Sequence, residues 1–220
     1  AAMVALAAAG CSSSGSEPSP ASAPTSATST QPAEHCAIGA MPTTVRYATI
    51  PGAPANLTSL DVHPQTRSCA APVVIWVHGG GYRFGDKRNQ IAAKARLFND
   101  RGWILVSTNY RLTVPGDPSS AHYPDHYDDV AAAVAWVHDH IADYGGDPNR
   151  IALLGHSAGA DIVANVASNP AYLHAVGLGL GALRCAGPLD SEGFDKVTSD
   201  AGAGSDSAQW KVALGNEPDY

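Results

Sequence analysis

The chain has 220 residues, 45% of them hydrophobic, and 20 acidic against 13 basic side chains give it a formal net charge of −7. The apolar fraction excludes a wholly disordered chain, and an acidic balance without any Lys/Arg cluster excludes nucleic acid as a partner, because phosphate binding needs a basic surface. The Val/Leu/Ile-rich runs are strand-sized, which excludes a multi-span membrane protein.

From the N-terminus, residues 1–10 (AAMVALAAAG) form an apolar run of signal-peptide-core length that leads into Cys11. Ala8-Ala9-Gly10-Cys11 resembles a bacterial lipobox, where small residues give a peptidase access to the cysteine that receives lipid. Ser12–Glu34 holds no Val, Ile, Leu, Met or aromatic residue, so nothing there offsets the entropy of ordering. The expected organisation is a signal-peptide remnant and lipobox cysteine over residues 1–11, a disordered Ser/Pro/Thr-rich tether over 12–35, and an α/β domain over 36–220. It predicts an exported bacterial lipoprotein, cell-surface or periplasmic, that meets the membrane only through lipid on Cys11. An exported chain can also oxidise its cysteines. Cys36 and Cys69 precede the first and third predicted strands and are expected to form a disulfide. Cys185 is expected as a buried free thiol, or paired with something beyond residue 220.

Val45–Ile50 predicts a strand ended by Pro51-Gly52, and the alternation in Leu57–His63 predicts a second strand with one solvated face. Pro72–His78 (PVVIWVH) is a continuous apolar run, as in a parallel strand buried on both faces. Asp86 can cap a helix running to Asp100 with Ile91, Ala95 and Phe98 on one side, and Trp103–Thr108 predicts another buried strand. From Pro124 to about Tyr144 the stripe Val130, Val134, Val137, Ile141 has the helical period, and Gly145-Gly146 stops it. Ile151–Leu154 predicts a short strand, Ser157–Ser168 a helix with Ile162, Val163 and Val166 inward, and Ala175–Leu183 one more strand. Strand alternating with helix from Pro72 onward predicts a mostly parallel sheet with helices on both faces.

Gly155-His156-Ser157-Ala158-Gly159 fits the G-x-S-x-G nucleophile elbow, with a predicted strand before it and a helix after it. A serine there sits on a sharp, strained turn that lifts its hydroxyl above the sheet edge. The helix behind it points free N–H groups at the reaction centre. His78-Gly79-Gly80-Gly81, at the end of the Pro72–His78 strand, is the second feature. Its glycines let successive N–H groups converge on one point, a nest for an oxyanion. Neither a G-x-G-x-x-G nor a phosphate-loop pattern is matched. His78 is expected to brace this loop, and His156 to point to the other side of the turn from Ser157. The acids Asp125, Asp128 and Asp129 near His122 and His126 read as helix-dipole partners rather than a metal site.

HGGGYRFGDK at 78–87, NYRL at Asn109–Leu112, GGDPNRI at Gly145–Ile151 and GHSAGA at Gly155–Ala160 together resemble the α/β-hydrolase superfamily. Within it they resemble the HGGG esterases, carboxylesterases of the hormone-sensitive-lipase type and feruloyl- or acetyl-xylan-esterase-like proteins. The resemblance implies an α/β-hydrolase fold and a serine hydrolase of small-molecule carboxylic esters that works through an acyl-enzyme without a cofactor. It implies Ser157 as nucleophile and an oxyanion hole from Gly80, Gly81 and Ala158, with Gly79 shaping the turn. In this fold the order runs serine, acid, histidine. After Ser157 the sequence offers only His174, with Asp161 between them on the same helix, which cannot close a triad. The chain is therefore expected to be cut at both ends, to lack the last strands, to find its catalytic acid and base beyond residue 220, and to be inactive alone. Two further readings stand beside this one: a non-catalytic exported binding lipoprotein on a hydrolase scaffold, and an amide hydrolase of kynurenine-formamidase type.

Overall fold

A computed structural model describes residues 41–191. The expectations for Cys11, the tether over 12–35 and Cys36 lie outside the described residues.

Within them, β1 (Thr43–Arg46), β2 (Ser59–His63), β3 (Ala71–Val77), β4 (Ile104–Thr108), β5 (Gly146–His156) and β6 (Leu183–Leu189) form one sheet in the order β1-β2-β4-β3-β5-β6. β4, β3, β5 and β6 run parallel, while β1 and β2 join antiparallel at one side. The crossovers are α1 (Ile91–Asn99) between β3 and β4, α2 (Asp125–His140) between β4 and β5, and α3 (Ala158–Ser168) with the short α4 (Pro170–Ala175) between β5 and β6. This is the mostly parallel, helix-covered sheet that the sequence predicts.

Alternation along the strands builds a core on each face. Val73, Ile75, Val77, Ile104, Val106, Ile151 and Leu153 face α2 and α3, whose Val130, Val134, Val137, Ile162, Val163 and Val166 are fully buried. Each such side chain contributes roughly 1.5–3 kcal/mol on leaving water. On the opposite face Val74, Leu105 and Ala152 receive Ile91, Ala95 and Phe98 of α1. Tertiary burial therefore decides the two helical stripes read from sequence. After Tyr144 the chain turns at Gly145, whose φ of 79° no β-carbon would favour.

Four expectations are corrected. β2 has no solvated face, since all five of its residues are buried. Its polar side chains find partners instead: Lys87 Nζ lies 2.9 Å from Asp61, and His63 Nε2 lies 3.3 Å from Ser107 Oγ. Asp86 does not cap α1; its carboxylate holds Asn56 and Asn109, the segment turns, and the helix starts at Ile91. The strand expected over Ala175–Leu183 lies instead at Leu183–Leu189, the last among the described residues, because α4, a turn and a single 3-10 turn at Leu180–Ala182 take up the glycine-rich stretch. Asp190 consequently follows a strand directly, at its carboxyl end. Finally, Cys185 is disulfide-bonded rather than a free thiol; Cys69 is disulfide-bonded as well.

Candidate active site

β5 is parallel and buried between β3 and β6, so its carboxyl end delivers Ser157 to the rim of the sheet. Ser157 there adopts φ 54°, ψ −121°, a combination that L-residues rarely hold, and α3 begins at the next residue. The turn can be this tight because its flanks are glycines. A β-carbon on Gly159 would lie 2.5 Å from the carbonyl oxygen of Val77 and 2.6 Å from that of His78, and one on Gly155 would meet Val163 at 2.7 Å. Helix α3 thus presses its first turn against the end of β3. Its partner in sequence, the loop at 78–81, is brought to the same place: a β-carbon on Gly79 would lie 3.0 Å from that of Ser157. The two motifs that carry the sequence reading are in contact.

Among the described residues, the backbone N–H groups of Gly80, Gly81 and Ala158 are used by no backbone hydrogen bond, while Gly80 O accepts from Arg83 and Phe84 and closes the loop behind them. Donors left unspent at a helix start and in a glycine turn are what an incoming anion needs.

The loop is braced from below. His78 is buried, its Nδ1 lies 2.8 Å from Gly79 O, and its ring stacks on Tyr110 at 4.4 Å. Tyr110 donates its hydroxyl to His78 O at 3.0 Å. Burial pushes the His78 imidazole below its ordinary value, so it stays neutral in this role. Asn109 accepts from Lys87 N–H at 2.6 Å, and Arg111 grips Asp129 through Nε at 2.9 Å and lies 3.2 Å from Asp125. The NYRL segment is therefore the frame that ties the loop after β3 to α2.

The other titratable groups are occupied elsewhere. His126 Nε2 lies 3.0 Å from Thr113 Oγ1, His122 Nδ1 lies 2.7 Å from Ser120 O, and Asp129 belongs to Arg111. His156 turns its Nε2 to Asp190 at 3.4 Å, away from Ser157. His174 is exposed in the last turn of α4. Among the described residues, no imidazole hydrogen-bonds the Ser157 hydroxyl. Sequence reading finds in Asp161 no more than an acid that cannot close a triad; in the structure it is buried and accepts hydroxyls from Tyr82 and, at 2.7 Å, from Tyr127. Those residues come from three distant segments, so no local pattern announces them.

A model described as the carboxylesterase family matches residues 27–174. Over 100 residues the chain is 41% identical to the probable carboxylic ester hydrolase LipM of Mycobacterium tuberculosis, covering 46% of this chain and 22% of that protein. With the esterase LipQ of the same organism it shares 37% identity over 137 residues, 60% of this chain and 30% of that one. The aligned part is thus less than a third of either relative's length. Among solved structures, Thermogutta terrifontis esterase 2 phosphonylated by sarin superposes with a TM-score of 0.63 at 20% identity, over 80% of this chain and 64% of that one. The Pyrobaculum calidifontis esterase superposes with a TM-score of 0.58 at 22% identity, over 73% and 53%. These neighbours share the fold.

Proposed function

This chain belongs to the carboxylesterase family, and from that premise we propose that the complete protein is a serine hydrolase that cleaves small carboxylic esters, with Ser157 as its nucleophile. The observation that carries the reading is the strained Ser157 turn, pressed against Gly79 by glycines on both sides. Strain of this kind persists only where the surroundings over-determine it, and it clusters where chemistry is done. The hydroxyl attacks the acyl carbon; its proton passes to a base, and the carbonyl oxygen becomes an oxyanion. The N–H groups of Gly80, Gly81 and Ala158 receive that charge, and Gly79 shapes the turn that aims them. One such donor is worth roughly 3–4 kcal/mol of transition-state stabilisation. Collapse expels the alcohol and leaves an acyl-enzyme, which water then hydrolyses by the same route. The base and its supporting acid come from chain outside residues 41–191.

The same proposal places the protein outside the cell, anchored by lipid on Cys11 with residues 12–35 as its tether, a compartment in which the disulfides of Cys69 and Cys185 persist. Mass spectrometry of the mature N-terminus tests the anchor, with an unmodified Cys11 as the contrary result. The activity is tested with p-nitrophenyl acetate and the complete protein. Ser157→Ala lowers kcat by at least about 10⁴-fold on this reading; undiminished turnover would refute it.

A further inference from the structure

Asp161 is buried one turn into α3, and a single one of its oxygens, Oδ2, accepts hydroxyls from both Tyr82 and Tyr127. Its other oxygen, Oδ1, is buried with no hydrogen-bond partner among the described residues. No Lys, Arg or His among the described residues forms an ion pair with the carboxylate. Burying a carboxylate without a cation and with half its capacity unused is a poor way to stabilise a core; an apolar side chain of that size is the better choice. A group that breaks this rule beside a reaction centre is a sign of function.

What the carboxylate holds explains why it is there. Tyr82 directly follows the glycine loop, and Gly81 and Tyr82 take φ of 57° and 62° in succession. Glycine adopts that region freely, whereas a tyrosine adopts it only under constraint. Two grips supply the constraint: Tyr82 O accepts from Thr113 N–H at 2.9 Å, and the Tyr82 hydroxyl reaches Asp161. Asp161 stands in the first turn of α3, whose N-cap is Ser157, so the anchor of the loop and the serine are four residues apart on one element. Tyr127 binds the same oxygen from α2, with its hydroxyl 3.3 Å from that of Tyr82, and itself belongs to the helix rather than to the loop.

We propose that Asp161 is a positioning residue which, through the Tyr82 hydroxyl, fixes the Gly80 and Gly81 N–H groups in register with Ser157. This rests on the reading that those groups stabilise the oxyanion. Because the anchor acts on the loop and not on the bound ester, it affects the transition state more than substrate binding.

Tyr82→Phe and Tyr127→Phe remove one hydroxyl each from the same carboxylate oxygen, which makes them matched probes. The complete protein and both variants are assayed with p-nitrophenyl acetate, and inhibition by a phenylboronic acid, whose tetrahedral serine adduct mimics the oxyanion, is measured beside the melting temperature. For Tyr82→Phe, kcat falls about tenfold or more with KM within about twofold, and boronic acid inhibition weakens by a similar factor. For Tyr127→Phe the melting temperature drops while kcat stays within about twofold of wild type. Asp161→Ala matches the kcat loss of Tyr82→Phe, and the double variant loses no more than either, the mark of one shared path. Asp161→Asn, which keeps an oxygen for both hydroxyls, recovers part of the rate. Equal kcat effects of the two tyrosine variants, or no effect of Tyr82→Phe, would overturn the proposal; these two decide it even if Asp161→Ala fails to fold. Wild-type labelling of Ser157 by a fluorophosphonate separates the two levels. Without that label the reading of Ser157 falls and takes this proposal with it; with the label present and Tyr82→Phe fully active, only the role of Asp161 falls.

Discussion

A methyl group on Gly79 would lie 3.0 Å from the Cβ of Ser157 and 2.7 Å from the carbonyl oxygen of His156. The loop and the elbow are packed at a distance only glycine permits, so a side chain at 79 must push them apart. Gly79→Ala is expected to lower kcat for p-nitrophenyl acetate by about 10²-fold, the scale of one displaced oxyanion donor, with the fold retained. Steady-state kinetics with circular dichroism as the folding control checks this; wild-type kcat would mean that the loop does not serve the reaction.

A buried ion pair ties the segment after the glycine loop to β2. Lys87 Nζ is fully buried, 2.9 Å from Asp61 and 2.7 Å from Ser59 Oγ. Lys87→Met leaves Asp61 buried beside only Thr44 and the exposed Arg88, and should cost about 3 kcal/mol, because breaking one side of a buried pair strands the other charge. Lys87→Met with Asp61→Leu should come back to within about 1 kcal/mol of wild type. Urea denaturation of the three proteins checks both values.

Acid should weaken the fold through His126. Burial pushes its imidazole down from 6.5 to about 4. The unfolded chain therefore binds a proton below pH 6.5 that the folded chain refuses until about pH 4, so stability falls as pH falls through that window. The drop attributable to this group is about 3 kcal/mol. His63 and His78, also lowered by burial, act in the same direction. His126→Gln, which keeps a donor for Thr113, should show a shallower fall between pH 6.5 and 4; a slope equal to that of wild type would contradict it.

The sequence makes the chemistry more legible than the edges of the sheet. GHSAG and HGGG are local patterns with a local physical cause, and both sit where the strand-end argument puts them. The stripes of α2 and α3 are equally local. What could not be read depends on partners far along the chain. The polar residues of β2 look solvated until Lys87 arrives to bury Asp61. β6, which lies at the edge of the sheet among the described residues, carries Gly187 and Pro188, residues that weaken a strand signal but that such a position tolerates. Asp161 reads in sequence only as an acid on the helix after Ser157 that cannot close a triad. Only the fold brings Tyr82 and Tyr127 to it.

The most direct test of the account is the site of covalent attachment when the complete protein is treated with a fluorophosphonate and digested for mass spectrometry. The account predicts one adduct, on Ser157, whose formation parallels the loss of esterase activity and which Ser157→Ala abolishes together with that activity. An adduct on another serine, or esterase activity that survives in Ser157→Ala, would contradict it.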